Sequence, residues 1–307
     1  MGKKFLTKDQ FAVHTQRAEK LAKFMTAHIA ANKSKKVAVL LSSGVDSHAC
    51  LFAALRAKKQ VTCYSFTLED RVSTDYRIAE QTAATFGLPF RGIQLSTDLP
   101  SMKSYLWEVF NEYNPTRIHI NKSSVECLWP LYNALTRITA DGNGATVIGL
   151  GGDTFFCMLR SQKKRLHEYE LVKQEYYDNV VKNASDVQTI MMNNWLAKHA
   201  PRHELIIPFH TKEAFQIFKG MGPFDPGCKP IQKAPVRLAF WEEFQQTDVR
   251  VHQSFQKGDS GISDHFEEIL IPSDWNTRGL KSVKGIYNDL ETGVIRKPGR
   301  TIFRGAH

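Results

Sequence analysis

Between residues 36 and 149 the sequence alternates short β-branched or apolar runs with helical patterns, and this alternation constrains the fold most strongly. Strands are predicted at 36–41, 60–68, 91–95 and 145–149, where such residues are concentrated. The segments between them carry apolar residues at helical spacing. A chain that alternates strands and helices in this way forms a parallel sheet with helices on both faces. We therefore predict an α/β fold with a doubly wound parallel sheet.

The pattern changes beyond about residue 161, where helical periodicity continues without a clear strand repeat. We predict four segments along the chain. They are an N-terminal helical segment at 1–34, the α/β core at 35–160, a mainly helical part at 161–272 and a basic C-terminal appendage at 273–307.

The composition argues against several classes of protein. Hydrophobic residues make up 42% of the chain, which is enough for a packed core, and no apolar run approaches the ~18 residues of a membrane span. The five cysteines contain no C-x-x-C pair, which argues against a zinc ribbon, a disulfide framework and a cysteine-bound iron–sulfur cluster. The first residues do not resemble a secretory signal. We expect a cytoplasmic protein with no membrane partner.

The formal net charge of +10 leaves the partner open. Such a charge is compatible with nucleic acid, with a polyphosphate or acidic substrate, or with solubility alone. The basic residues concentrate in a run at Arg160–Arg165 and in the stretch after Arg278. Solvated surface accounts for either cluster equally well, so a nucleic-acid partner is possible but not required.

The strongest chemical signal lies where the first predicted strand ends, in the run Leu41-Ser-Ser-Gly-Val-Asp-Ser47. We predict a turn at 42–47 followed by a helix from His48. Ligands of open α/β sheets bind beyond the carboxyl ends of the strands, and N–H groups at a helix start attract anions. The serine hydroxyls add donors, and Asp46 has the chemistry to hold a phosphate-bridging metal. The alternative is an ordinary helix start capped by Ser and Asp.

A second glycine turn followed by an acid occurs at 147–153, in Val-Ile-Gly-Leu-Gly-Gly-Asp. If the strands before the two turns are neighbours, Asp46 and Asp153 face each other over one edge of the sheet. Two carboxylates together with phosphate oxygens suit Mg²⁺. Asp153 alone would be interpreted as a turn or helix cap, and the pairing with Asp46 favours a metal–nucleotide site.

With both motifs in view, the chain resembles the N-type ATP pyrophosphatases, which have the adenine nucleotide alpha hydrolase-like fold. It is most similar to the synthetase domain of asparagine synthetase and β-lactam synthetase. Residues 41–47 resemble the S-G-G-x-D-S pyrophosphate loop, and 148–156 resemble the S-G-E-G-x-D-E-L-F loop. Weaker similarities to the P-F, K-x-x-L-R and F-x-x-G elements occur at Leu205–Phe209, Lys233–Arg237 and Phe255–Gly258.

The resemblance implies an AMP-forming carbon–nitrogen ligase with ATP and Mg²⁺ as cofactors. A carboxylate or related oxygen attacks the α-phosphorus, pyrophosphate leaves, and ammonia or an amine then displaces AMP. The partners would be a small-molecule acid and amine. By position, the resemblance assigns Mg²⁺ to Asp46 and Asp153, and adenosine contacts to Leu41, Leu68 and Gly149. The full set assigned to ATP and pyrophosphate is Leu41, Ser42, Ser43, Gly44, Val45, Asp46, Ser47, Leu68, Gly149 and Gly151.

Several family positions are altered in this sequence. Leu150 stands where the family has a glutamate or tyrosine that serves the acceptor nitrogen, and Thr154 replaces a second acid. His252 stands in place of the family's transition-state lysine, and Lys257 is nearby, so both are candidate catalytic residues. Residue 2 is glycine rather than the cysteine of a glutaminase domain, so we expect a glutamine-independent reaction. The activation half of the reaction looks intact, whereas the acceptor half is altered.

Two alternatives stay open. The same activation chemistry applies to a nucleobase in a nucleotide, RNA or DNA, which would suit the positive charge and Leu150. The chain would otherwise be a non-catalytic nucleotide-binding relative. Salt-dependent nucleic-acid binding would identify the macromolecular version of the first, and stabilisation by ATP–Mg²⁺ without product would favour the second.

Overall fold

The structure, a computed structural model, describes residues 14–156, 165–221, 233–249 and 260–295. Within these residues five strands form one sheet in the order β3-β2-β1-β4-β5, and every neighbouring pair is parallel. The strands are β1 (Lys36–Leu40), β2 (Gln60–Leu68), β3 (Phe90–Leu95), β4 (Ala145–Val147) and β5 (Glu204–Ile206). This arrangement confirms the predicted α/β fold with a doubly wound parallel sheet.

Helices connect the strands and make up most of the chain after β4. Those described are α1 (Thr15–Ala31), α2 (Val45–Arg56), α3 (Thr74–Thr85), α4 (Leu99–Trp107), α5 (Lys122–Ala140), α6 (Tyr169–Tyr176), α7 (Val187–His199), α8 (Lys212–Phe218), α9 (Ala234–Ala239), α10 (Trp241–Phe244), α11 (Ile262–Leu270) and α12 (Val283–Glu291). A short 3₁₀ turn, Gly152–Phe156, follows β4, and α4 and α6 each continue into a π-helical turn.

The two faces of the sheet pack against two hydrophobic cores. Val37 and Val39 of β1 belong to the core with α1, α2, α8 and α9, whereas Ala38 belongs to the core with α4, α5, α7, α11 and α12. Successive strand residues point to opposite faces, so burial of both faces requires an apolar residue at every position. This explains the continuous apolar run from Val37 to Leu40, which follows the exposed Lys36 at the start of β1.

Several boundaries differ from the sequence prediction: β1 ends one residue earlier, β3 begins one residue earlier, and β4 ends at Val147 rather than at 149. The predicted turn at 42–47 is too long, because α2 already begins at Val45 and places Asp46 and Ser47 in its first turn. Gly44 is extended at the helix N-cap, so the chain enters the helix directly after it. Strand β5 was not predicted, because its three residues show no strand period and, unlike the equally short β4, it is not followed by a glycine turn.

The division of the chain into four segments stays a prediction. Within the described residues, α12 contributes Val283, Ile286 and Leu290 to the same hydrophobic core as α5. None of the helices in the described ranges is long and apolar enough to cross a membrane.

Candidate functional site

A cavity of about 720 Å³ lies at the carboxyl ends of β1 and β4. Its wall comes from the segments after these two strands, from α5, and from α6 through the start of α7. The predicted site residues that line it are Leu41, Ser42, Ser43, Asp46, Ser47, Gly149, Gly151 and Asp153. Most of the residues assigned to nucleotide and metal therefore surround one space.

Three of the predicted site residues that the structure describes are not in this wall. Val45 and Leu68 are buried in the hydrophobic cores, and Gly44 lies behind the serines as the N-cap of α2. His252 and Lys257 lie outside the described residues. Their assignment as catalytic residues therefore stays a prediction.

Hydroxyl groups hold the turn before α2 closed. The Ser42 and Ser47 hydroxyl oxygens lie 3.0 Å apart, and the backbone N–H of Gly44 donates to Ser42 Oγ at 3.1 Å. Behind the turn, His48 bridges the Gly44 carbonyl (2.9 Å) and the Thr82 hydroxyl (3.0 Å). Burial lowers the pKa of His48 to about 4, against a smaller opposing effect of the Gly44 carbonyl, so the ring is neutral. The helix start is thus held on both sides.

An acid from α3 engages the middle of the same turn. Asp75 accepts a hydrogen bond from the backbone N–H of Ser43 at 3.1 Å and another from the Ser43 hydroxyl. The Asp75 carboxylate also lines the cavity. Two donors that the sequence analysis assigned to phosphate are therefore bonded to a carboxylate in this structure. A phosphate that used them would have to displace Asp75.

Asp46 and Asp153 meet at one buried cation. The ammonium nitrogen of Lys233 lies 2.5 Å from Asp46 Oδ2 and 2.6 Å from Asp153 Oδ1. Asp46 comes from the first turn of α2, Asp153 from the 3₁₀ turn after β4, and Lys233 from the residue before α9. The pairing of β1 with β4 places the two acids side by side, as the sequence analysis expected if these strands were neighbours.

Lys233 was missed as a site residue, although it is part of the K-x-x-L-R similarity. It is buried, and its backbone has a left-handed φ of 59°, which is uncommon for a residue other than glycine. Burial lowers the pKa of its ammonium, but Asp46 and Asp153 outweigh that effect, so the pKa is raised. The side chain is therefore a buried cation at neutral pH. No local sequence pattern indicates which acids such a lysine will contact.

The glycines after β4 allow the two acid-bearing turns to approach. A Cβ atom at Gly152 would lie 2.6 Å from Asp46 Oδ1, and one at Gly149 would lie 2.8 Å from the backbone nitrogen of Ser47. Both distances are shorter than real Cβ atoms show. Glycine at these positions is thus a requirement of the close contact with α2.

The acids fit the chemistry of Mg²⁺ binding. Two carboxylates that converge on one cation in a cavity wall form a partial shell for a divalent ion. In the described ranges no group of three or more His, Cys, Asp or Glu side chains forms a metal site. Mg²⁺ is often held by one or two carboxylates, with phosphate oxygens and water completing its shell. Asp46 and Asp153 would hold it here.

The described member of the basic run at 160–165 is neutralised by acids. Arg165 lines the cavity, and its guanidinium contacts Glu175 at 2.7 and 2.9 Å and Glu168 at 2.7 Å. The hydrogen bonds to Glu175 and Glu168 raise the pKa of Arg165 and keep the pairs charged. This arginine therefore does not provide a free positive charge to the cavity.

Residues 19–206 match the sequence model of the asparagine synthase family. Among solved structures, the chain is similar to the U34-tRNA thiolase NcsA from Methanococcus maripaludis, determined with its 4Fe–4S cluster. The identity is 14% and the TM-score 0.40, over 98% of this chain and 85% of that one. No curated protein sequence gives a match. Because the family match spans more than half of the chain and includes both Asp46 and Asp153, this protein belongs to the asparagine synthase family.

Proposed function

We propose that this protein is an ATP-dependent, AMP-forming ligase. It adenylates a carboxylate or related oxygen, releases pyrophosphate, and transfers the activated group to ammonia or an amine. Family membership supports an ATP-utilising, synthetase-type activity. The observation that carries the finer proposal is the convergence of Asp46, Asp153 and Lys233 in the wall of the cavity.

Pyrophosphate departure requires compensation of negative charge more than it requires a nucleophile. Positioned cations and N–H groups provide that compensation. Lys233 is one such cation, and Asp46 with Asp153 would hold Mg²⁺ as a second. Bound Mg²⁺ would neutralise charge on the phosphates. With Asp46 and Asp153 engaged by Mg²⁺, the Lys233 ammonium would be available to the phosphate oxygens.

The size and wall of the cavity suit a nucleotide together with a small second substrate. Its volume of about 720 Å³ lies within the usual range for small-molecule sites. Apolar side chains of Leu40, Phe66 and Leu131 provide surface for a nucleobase, while the cluster of Lys233 with its two acids suits phosphate.

The proposal is tested by ATP–pyrophosphate exchange with a panel of carboxylic acids. An acid that is adenylated supports incorporation of labelled pyrophosphate into ATP. We expect Asp46→Asn and Asp153→Asn each to reduce this exchange by about 100-fold, the usual order for a lost electrostatic contact to the reacting phosphates. Asp264→Asn, on an exposed position of α11, is the matched control. Exchange at the wild-type rate in both site variants would contradict the assignment.

Modification of a nucleobase in nucleotide, RNA or DNA stays the alternative for the second substrate. Described arginines of the two basic clusters are paired with acids, Arg165 with Glu175 and Arg278 with Asp289. These two arginines therefore do not by themselves call for a nucleic acid. Binding to tRNA or duplex DNA that weakens steeply with salt would favour the alternative.

A further inference from the structure

Two polar side chains contact the glycine turn at Gly151, one residue before the glycine that contacts Asp46. Tyr176 ends α6, His210 follows β5, and their ring centroids lie 6.0 Å apart. A Cβ atom at Gly151 would clash with the Tyr176 hydroxyl and would lie 2.7 Å from His210 Nε2. Both side chains line the cavity. Gly152, the next residue of the same turn, contacts Asp46 in the same way. The pair and the acid cluster therefore contact adjacent residues of one turn.

The hydrogen bonds around His210 determine which nitrogen carries the proton. Thr189 donates its hydroxyl hydrogen to Asp186 Oδ2 at 2.7 Å, since a carboxylate only accepts. Thr189 Oγ1 can therefore only accept in its long 3.4 Å contact with His210 Nδ1. This assigns the proton to Nδ1 and leaves a lone pair on Nε2, the nitrogen that lies against Gly151.

The hydroxyl of Tyr176 is buried and has no hydrogen-bond partner among the described residues. Buried hydroxyl groups are normally paired, and an unpaired one in a cavity wall indicates a place for a ligand group. Burial, with smaller contributions from Asp186 and Asp46, raises the pKa of Tyr176 and keeps the hydroxyl protonated. The wall therefore offers one lone pair and one hydroxyl, side by side.

We propose that His210 and Tyr176 form the binding subsite for the nitrogen nucleophile, which is ammonia or a primary amine. This inference rests on the proposed ligase function and deepens it. The nitrogen donates one N–H to His210 Nε2 and a second N–H to the Tyr176 hydroxyl oxygen, so its lone pair stays free. The negative charge of Asp186, which lies in the cavity wall and accepts a hydrogen bond from Thr189, favours an amine over an anion.

The subsite provides the proton acceptor that Leu150 cannot supply. When the amine lone pair forms the C–N bond, the bond between the acyl carbon and the AMP oxygen breaks and its electrons leave with AMP. The proton released by the nitrogen goes to His210 Nε2. Burial lowers the pKa of His210 more than Asp186 raises it, so the ring is neutral near pH 7 and able to accept that proton.

The test uses methylammonium chloride as the probe and long-range ¹H–¹⁵N spectra of the histidine rings in the full chain. His210→Gln identifies the His210 signals. We expect the wild-type ring to be protonated on Nδ1, and its signals to shift saturably with methylammonium. Tetramethylammonium, which has the charge but no N–H, should give no such shift. A proton on Nε2, or equal shifts with both cations, would overturn the proposal.

Tyr176→Phe removes one hydroxyl from the subsite and should raise the apparent Kd for methylammonium by about tenfold, the value of one hydrogen bond. Tyr177→Phe is the matched control. Tyr177 is the next residue, but it does not line the cavity, and its ring stacks on that of Phe215 with the centroids 4.4 Å apart. Equal effects of the two substitutions would refute the assignment of Tyr176.

This binding experiment needs neither ATP nor an acid, so its failure is distinct from failure of the proposed ligase. If an acid supports pyrophosphate exchange, a second readout becomes available. The ratio of amide formation from ammonia to exchange should fall by about tenfold or more in His210→Gln, as expected for a lost general base. An unchanged ratio would exclude His210 as the proton acceptor.

Discussion

Replacement of Lys233 by methionine removes the cation at the centre of the site while keeping an unbranched side chain. The carboxylates of Asp46 and Asp153, which both lie within 2.6 Å of the lysine nitrogen, then lose their shared partner. Removal of one member of a buried ion pair typically costs about 3–5 kcal/mol, because the remaining charge is uncompensated. The Asp153 side chain is 29% exposed, so water partly solvates its charge. We therefore expect the unfolding free energy to fall by about 3 kcal/mol, the lower end of this range.

The assay is urea denaturation with EDTA and with excess Mg²⁺. If the two carboxylates are a cation site, Mg²⁺ replaces the missing ammonium and restores stability to Lys233→Met. A ligand that binds only the folded state at about 100 times its Kd stabilises it by about 2.7 kcal/mol. Wild-type protein should gain less, since Lys233 already neutralises the acids.

Lys173→Met is the matched control. Lys173 is equally buried, but its ammonium contacts the half-exposed carboxylate of Glu170 at 2.6 Å and donates to the carbonyl oxygens of Phe218 and Met221, at 2.7 and 2.9 Å. Its substitution should destabilise the fold with little rescue by Mg²⁺, because Glu170 keeps access to water and does not need a replacement cation. A loss below about 1 kcal/mol in Lys233→Met, the value of an exposed pair, would refute the reasoning. Equal gains from Mg²⁺ in the two variants would refute it as well.

Two further predictions concern pH and the glycine turn. The pKa of His48 is about 4 in the folded protein and about 6.5 unfolded, so the unfolded chain takes up a proton first as pH falls. The free energy of unfolding of the wild type therefore falls between these pH values. Between about pH 7 and pH 4.5, urea denaturation should show that His48→Gln loses about 2 kcal/mol less unfolding free energy than the wild type. Gly152→Ala places a methyl group against the Asp46 carboxylate and should weaken ATP–Mg²⁺ binding by about tenfold in calorimetry. Gly144→Ala is the control, because its methyl group would meet Ser34, outside the cavity wall. If Gly152→Ala binds ATP–Mg²⁺ as tightly as Gly144→Ala does, the prediction is contradicted.

Local signals were sufficient for most of the sheet and for both loops of the site. Gln60–Leu68 is a strand as predicted, because its β-branched and aromatic residues suit a buried strand wherever it lies. The turn at Ser42 and the turn before Asp153 were also recognised from small residues next to a strand. Whether the two turns lie side by side could be predicted only on the condition that β1 and β4 are neighbours. The order of the strands in the sheet determines that.

Local sequence patterns are therefore enough to predict the fold class, the two turns and the acids that they carry. What those acids contact depends on the tertiary fold. Lys233 is 187 residues from Asp46 along the chain. Tyr176 precedes β5 in the sequence, and His210 follows it. Helix and strand periods report which face of an element is buried, but they do not report which distant residue packs against it. The cation between Asp46 and Asp153, and the lone pair beside Gly151, exist only because the fold brings those distant segments together.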